Sequence, residues 1–300
     1  MKRFLFTSVI KVVMLSVKKS LGCLILIPMC TVLICGCIDF QRDFEIHEWG
    51  VFVKGYDCNG TSVLGKPPDI IFSVRKPVIY FHNSGKMKVL IDIANIDNVT
   101  TIPPADVIKN HIVWFVSIDS GYVVLPNGTR YPYLFYEGTI NWSTNVKADI
   151  RVKGSNATFY VKNGENYTIS DVYLVYGYPL GKANYTDMGL TYIRVDKVDG
   201  GEEVSITVEL RNETSFDVDE LVQSLIEKGL TEKEAREMVN YWKEWWFHPT
   251  DNESYTRLIY IIPQHIYDEI LPLTVLPPPS SSVRVGVVTI TDIPVTIEIQ

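Results

Sequence analysis

The chain has 300 residues, 46% of them apolar, 12% aromatic and 21% charged, with 19 Gly and 16 Pro. That composition excludes disorder, collagen and a polytopic membrane protein, and the length is enough to bury a full core without disulfide staples. A formal charge of −7 argues against a nucleic-acid partner.

In chain order the first element is an export signal. Residues 1–20 carry Lys2, Arg3, Lys11, Lys18 and Lys19 with no acid, and an apolar run from Leu21 to Ile34 leads into Cys35-Gly36-Cys37. A basic stretch followed by an apolar one is the pattern of a signal peptide. The tetrad Ile34-Cys35-Gly36-Cys37 resembles a prokaryotic lipobox, which makes 1–36 the signal and Cys37 the lipidated residue. The basic region is long, so Met14 stands beside Met1 as the start. The competing reading is an uncleaved transmembrane helix, because Leu21 to Ile38 is 18 residues without a charge. Both readings attach the protein to the cell membrane and place its body on the outer face.

Removing 1–36 takes five bases and no acid, leaving 23 bases against 35 acids, a charge of −12. Lipidation of Cys37 leaves Cys58 as an unpaired thiol; a Cys37 to Cys58 bridge is the alternative if the lipobox reading fails.

Nine of the 15 asparagines open an Asn-x-Ser/Thr sequon: Asn59, Asn98, Asn127, Asn141, Asn156, Asn166, Asn184, Asn212 and Asn252. Random placement of the Ser and Thr residues would give about two. The excess predicts N-glycosylation on an external surface. A lipobox together with dense sequons fits an archaeal envelope.

From residue 45 to 211 the apolar residues alternate. Val89, Ile91 and Ile93 interleave with Lys88 and Asp92, and Val146, Ala148, Ile150 and Val152 interleave with Lys147, Asp149 and Arg151. Val204, Ile206, Val208 and Leu210 repeat the pattern, so these are half-buried strands. Pro126-Asn127-Gly128 predicts one hairpin, and Asn163-Gly164 predicts a second, joining 157–161 to 167–176. The period changes at 216–247, where Val218, Leu221, Val222, Leu225 and Ile226 follow helical spacing up to Gly229. Thr231 and Glu234 form a capping box for a second helix. The expected architecture is mainly β: antiparallel sandwiches with an inserted helical hairpin. Its expected parts are a β region over 37–144, an immunoglobulin-like module over 145–212, the hairpin over 213–249, and C-terminal strands over 250–300 packing back on the β region.

Candidate chemistry is sparse. His47 and Glu48 are adjacent, but on a strand they point to opposite faces, and the second His of a zinc-protease helix is replaced by Val51. His82, His111, His248 and His265 lack metal-ligand spacing, so neither a metal nor a cofactor is expected. Trp242, Trp245 and Trp246 share a helix face, readable as core or as an aromatic platform for sugar or lipid.

Three blocks carry a resemblance: His47-Glu48-Trp49-Gly50-Val51-Phe52, Lys76-Pro77-Val78-Ile79-Tyr80-Phe81, and a C-terminal set running from Met238-Val239 and Trp245-Trp246-Phe247 through Thr256-Arg257-Leu258-Ile259-Tyr260-Ile261-Ile262-Pro263-Gln264 to Leu271-Pro272-Leu273 and Arg284-Val285. Together they resemble an uncharacterised family of secreted bacterial and archaeal proteins. The blocks cover about a third of the chain at its two ends; Val51 and His82 depart from the pattern, where Thr and an aromatic are usual. The resemblance implies a shared fold and location and transfers no catalytic residue. It marks Arg257 and Arg284 as charged positions to follow.

The expectation is a lipid-anchored, N-glycosylated envelope protein that binds or scaffolds, with an envelope protein or a glycan as partner. One alternative is an extracytoplasmic hydrolase, with or without a metal, in which His47 or Glu48 works with Arg257 or Arg284 in one pocket. A second is a transporter solute receptor, which requires two α/β lobes.

Overall fold

The computed structural model describes residues 44–55, 71–179, 188–210, 216–247 and 255–298. The expected signal, Cys37, Cys58, and the sequon residues Asn59, Asn184, Asn212 and Asn252 lie outside the described residues.

The central layer is an eight-stranded sheet. Its strands in spatial order are β13 (Met188–Val198), β12 (Ile169–Pro179), β15 (Tyr255–Ile262), β17 (Ser281–Thr291), β1 (Glu45–Gly55), β2 (Ile71–His82), β9 (Leu134–Asn141) and β4 (Asp97–Ile102). Neighbours are antiparallel except β1 and β17, which run parallel. Strands covered on both faces are apolar at nearly every position rather than alternately. β15 and β17 show this, with runs of buried residues broken only near their ends.

One face of this sheet carries two further sheets. Four strands, β14 (Glu203–Glu209), β11 (Asn156–Asn163), β10 (Val146–Lys153) and β18 (Val295–Glu298), form the first. The second contains β16 (Leu273–Leu276), β3 (Lys86–Ala94), β6 (His111–Asp119), β7 (Tyr122–Val124) and β8 (Arg130–Tyr131), with β5 (Asp106–Ile108) paired to β6. Their inward residues, among them Val89, Ile91, Ile93, Ala148, Ile150 and Phe159, join Phe52, Phe72, Leu258 and Tyr260 of the large sheet in one core. The alternation read in 86–94 and 146–153 is therefore the inward and outward alternation of half-buried strands.

The opposite face is covered by the helical hairpin, α1 (Val218–Glu227) and α2 (Glu232–Phe247). Asp217 caps α1 by accepting the Asp219 N–H at 2.9 Å. Gly229 turns the chain at φ +103, where a Cβ would meet Val283 at 3.0 Å. Leu221, Leu225, Met238, Val239, Trp242 and Trp246 pack on Trp49, Val51, Val78, Tyr173, Ile259 and Val285 in a second core. The short helix α3 (Gln264–Ile270) starts directly after Pro263.

Three expectations change. The segment 145–212 is not a separate module, because β12 and β13 extend the large sheet while β10, β11 and β14 build the small one, and residues 42–300 form one compact unit. Asn163-Gly164 does not close a hairpin: β11 pairs with β10 and β14, and β12 pairs with β13 and β15. Asn163 is instead fully buried at a corner between sheets, where its Nδ2 donates to the carbonyls of Tyr167 at 2.8 Å and Val198 at 3.0 Å. Finally, the described residues form a layered β body with three helices, which is not the two α/β lobes of a solute receptor. The Pro126-Asn127-Gly128 turn does join β7 to β8.

Candidate functional site

β1 places the His-Glu pair in the middle of the sheet, and its alternation sends the two side chains to opposite cores. Glu48 is 0% exposed and lies in register with Arg284, 3% exposed, on the neighbouring β17. Arg284 Nε donates to Glu48 Oε2 at 2.6 Å, while its Nη1 donates to Asp268 at 2.8 Å and to the Leu271 carbonyl at 2.8 Å. The hydroxyls of Tyr136 and Tyr267 donate to Glu48 Oε1, the second at 2.9 Å. Burial alone would lower the Arg284 pKa, but the Glu48 charge beside it outweighs that and raises it. Burial, reinforced by Glu48, pushes both phenols well above their usual range. This is a closed ionic core that ties α3 and β9 to the centre of the sheet.

The same region explains two residues of the sequence blocks. β2 bulges opposite Gly50, where the register passes from Trp49↔Val78 to Val51↔Arg75 and sets two residues, Lys76 and Pro77, against one. Pro77 is tolerated there because a bulge frees its position from the ladder. A Cβ on Gly50 would lie 2.9 Å from the Tyr267 hydroxyl and 3.2 Å from Pro77, so any larger residue there must displace them.

On the other face His47 meets α2. His47 Nδ1 lies 2.8 Å from Glu234 Oε2, and His82 Nε2, from the end of β2, lies 2.9 Å from Glu234 Oε1. The two imidazoles sit 4.2 Å apart, and Glu45 Oε2 is 4.0 Å from His47 Nε2. Glu234 is also the capping residue of α2: it accepts the Thr231 N–H at 2.8 Å, and Thr231 Oγ1 accepts the Glu234 N–H at 3.3 Å. Burial would raise the Glu234 pKa, but the hydrogen bonds from His47, His82 and Thr231 prevail and hold its carboxyl far below the ordinary range. Its position in the first turn of a helix adds to that effect. The hydrogen bond to Glu234 raises the pKa of His82. Nearby, burial and then the Glu237 carboxylate push the Tyr80 phenol up.

His47, His82 and Glu234 thus converge from three elements, although the spacing of the histidines along the chain gives no sign of it. Sequence order hid it, since Glu234 lies 187 residues from His47 and reads there as a helix cap alone. The sheet register offered one signal: Glu45↔His82 and His47↔Tyr80 put both histidines on the same face of adjacent strands.

The pocket expected for a hydrolase does not form. Glu48 and Arg284 are sealed beneath one face while His47 occupies the other. Arg257 pairs with Thr291 on β17, whereas His47 pairs with Val283, eight residues away along the strand. At about 3.3 Å per residue that is roughly 26 Å. Arg257 instead lies between aromatic rings, 4.8 Å from Trp245 and 4.3 Å from Tyr255, and burial lowers its pKa. The tryptophan face is core rather than platform. Trp246 is fully buried with Nε1 donating to Thr289 Oγ1 at 3.0 Å, Trp242 stacks on it, and Trp245 is half-buried under Arg257.

The five sequon asparagines among the described residues, Asn98, Asn127, Asn141, Asn156 and Asn166, are all exposed. Among the described residues no helix is long and apolar enough to cross a membrane.

No protein-family model matches this chain, and no curated protein matches it. Among solved structures it is similar to the yeast delta-COP-I mu-homology domain, free (9% identity, TM-score 0.37) and complexed with a Dsl1 WxWxV peptide (9% identity, TM-score 0.36), with 86% of this chain and 98% of that chain covered in both. It is also similar to the Fcho1 Mu homology domain of Danio rerio with bound Eps15 peptide, at 6% identity and a TM-score of 0.37 over 86% of this chain and 97% of that one.

Proposed function

We propose that this protein is a lipid-anchored, N-glycosylated protein of the outer cell surface, of archaeal envelope type, that works by binding a partner there. The observation that carries the reading is the placement of the sequons. All five described acceptor asparagines are exposed, spread over β4, the β7–β8 turn, the end of β9, the start of β11 and the β11–β12 connection. A glycan requires an accessible side chain, and one buried acceptor would have counted against the reading. The lipobox ending at Cys37 supplies the anchor.

The binding role is supported by the outer face of the β16, β3, β6 sheet. Leu276, Leu90 and Phe115 stand in register across three strands, with Phe115 69% exposed and Leu276 43% exposed. Lys88 lies 5.8 Å from the Phe115 ring. Exposed apolar rows with a polar margin are what protein partners cover.

The test is intact-mass analysis of the protein extracted from its native membrane. The expected mass lacks residues 1–36 and carries lipid on Cys37 and glycan on one or more of the nine sequons. A chain that keeps residue 1 or 14 and carries neither lipid nor glycan overturns the proposal.

A further inference from the structure

We propose that His47, His82 and Glu234 form a binding site for a zinc-class divalent metal ion that fastens the helical hairpin to the central sheet. One ligand atom from each residue lies within 4.8 Å of the others, and the three come from β1, β2 and α2. A tetrahedral ion with ligands at about 2.0–2.2 Å needs its donor atoms a little over 3 Å apart. His47 Nδ1 lies 2.8 Å from Glu234 Oε2 and His82 Nε2 lies 2.9 Å from Glu234 Oε1, so the carboxylate already stands between the two rings. Side-chain rotation of His82, whose side chain is 37% exposed, brings the three ligand atoms, now within 4.8 Å of one another, to that spacing.

The donor set selects the ion. Two imidazole nitrogens and one carboxylate oxygen suit zinc and its neighbours, whereas calcium and magnesium take oxygen shells. Three protein ligands leave a fourth position, and the exposed side of His82 opens it to water from solvent.

The surroundings are those of a ligand set held in place. His47 Nε2 faces the Glu45 carboxylate at 4.0 Å, longer than a hydrogen bond, and rotation of the Glu45 side chain, 51% exposed, brings the acid to the N–H that a metal-bound imidazole turns outward. Glu234 is fixed by the backbone N–H of Thr231. The proton balance is simple. On binding, the His47 ring carries its proton on Nε2, toward Glu45, instead of Nδ1, and the His82 ring carries it on Nδ1 instead of Nε2. A doubly protonated ring releases one proton to solvent.

The experiment uses the full chain in detergent, stripped with a chelator and titrated with zinc chloride and with cobalt chloride. Expected are a melting temperature that rises with zinc concentration and visible cobalt d–d bands of a four-coordinate nitrogen and oxygen site. His82→Ala should weaken zinc binding more than about 100-fold, and Glu45→Gln, which leaves all three ligands intact, by about 10-fold or more. His111→Ala, at a separate part-buried His-Asp pair, should leave binding unchanged. The proposal is overturned by a melting temperature independent of zinc, by an affinity that survives His82→Ala, or by a cobalt-thiolate charge-transfer band that places the metal on Cys58. Should His82→Ala fail to fold, unchanged zinc affinity in Glu45→Gln is the result that overturns it.

Discussion

Replacing Arg284 with Met removes the cation from the ionic core and leaves the Glu48 carboxylate, 0% exposed, with two phenols as its remaining donors. Breaking a buried pair by deleting one partner costs about 3–5 kcal/mol. For a body of this size that lowers the melting temperature by about 6–20 °C. Glu48→Gln keeps an acceptor for Tyr136 and Tyr267 but turns an amide donor toward Arg284 Nε, a loss of about the same size. The double variant Glu48→Gln/Arg284→Met has no buried charge, keeps the tyrosine bonds, and leaves one amide unpaired, at about 1–3 kcal/mol. The two single losses should therefore exceed the double loss by about 3 kcal/mol or more, at or above the upper end of the range for contacting pairs. Urea denaturation of all four proteins measures it. If the losses simply add, or if Arg284→Met melts within about 3 °C of the wild type, the pair is not the closed ionic core described.

Three further outcomes are expected. Gly50→Ala forces the Tyr267 hydroxyl and Pro77 apart and should cost about 1–3 kcal/mol by thermal melting; an unchanged melting temperature would show that the bulge accommodates a Cβ. Trp246→Ala should cost about 3–5 kcal/mol, and Trp245→Ala markedly less because that ring is half-buried; equal losses would contradict the packing of α2. In chelator, the pH profile of stability should have two shoulders. Glu234 has a depressed folded pKa, so its contribution is present above its ordinary 4.5 and is lost as pH falls through the folded value. His82 has a raised folded pKa, so its contribution is full below 6.5 and is lost as pH rises through the folded value. Glu234→Gln should flatten both shoulders, and a variant profile parallel to the wild type would refute the assignment.

Much of the architecture was legible because it depends on local period. The residues at 86–94 and 146–153 alternate as half-buried strands must, and the capping pair Thr231 and Glu234 begins α2 as read. The opposite facing of His47 and Glu48 followed from strand geometry alone. What could not be read were the long-range pairings. Asn163-Gly164 has hairpin chemistry, yet the buried amide of Asn163 bonds carbonyls of two other segments and holds a corner between sheets. Glu234 satisfied a helix terminus in the sequence, so nothing local revealed its second task, and His82 acquires its meaning only when β2 lies beside β1. The tryptophan spacing fixed a common face for the rings without saying what that face would meet.

The parallel pairing of β1 with β17 also constrains the order of assembly. Trp49 and Val285 are register partners 236 positions apart, and β1 lies between β17 and β2 in the interior of the sheet. β1, the first of the described strands, therefore waits for nearly the last before one of its edges is closed. Contacts of such separation are slow to form, because loop closure must precede any stabilisation from them. Until then β1 offers an open apolar edge, a template for pairing with another chain. Folding of this protein is thereby tied to completion of the chain, and a truncated chain lacking β17 would leave that edge open.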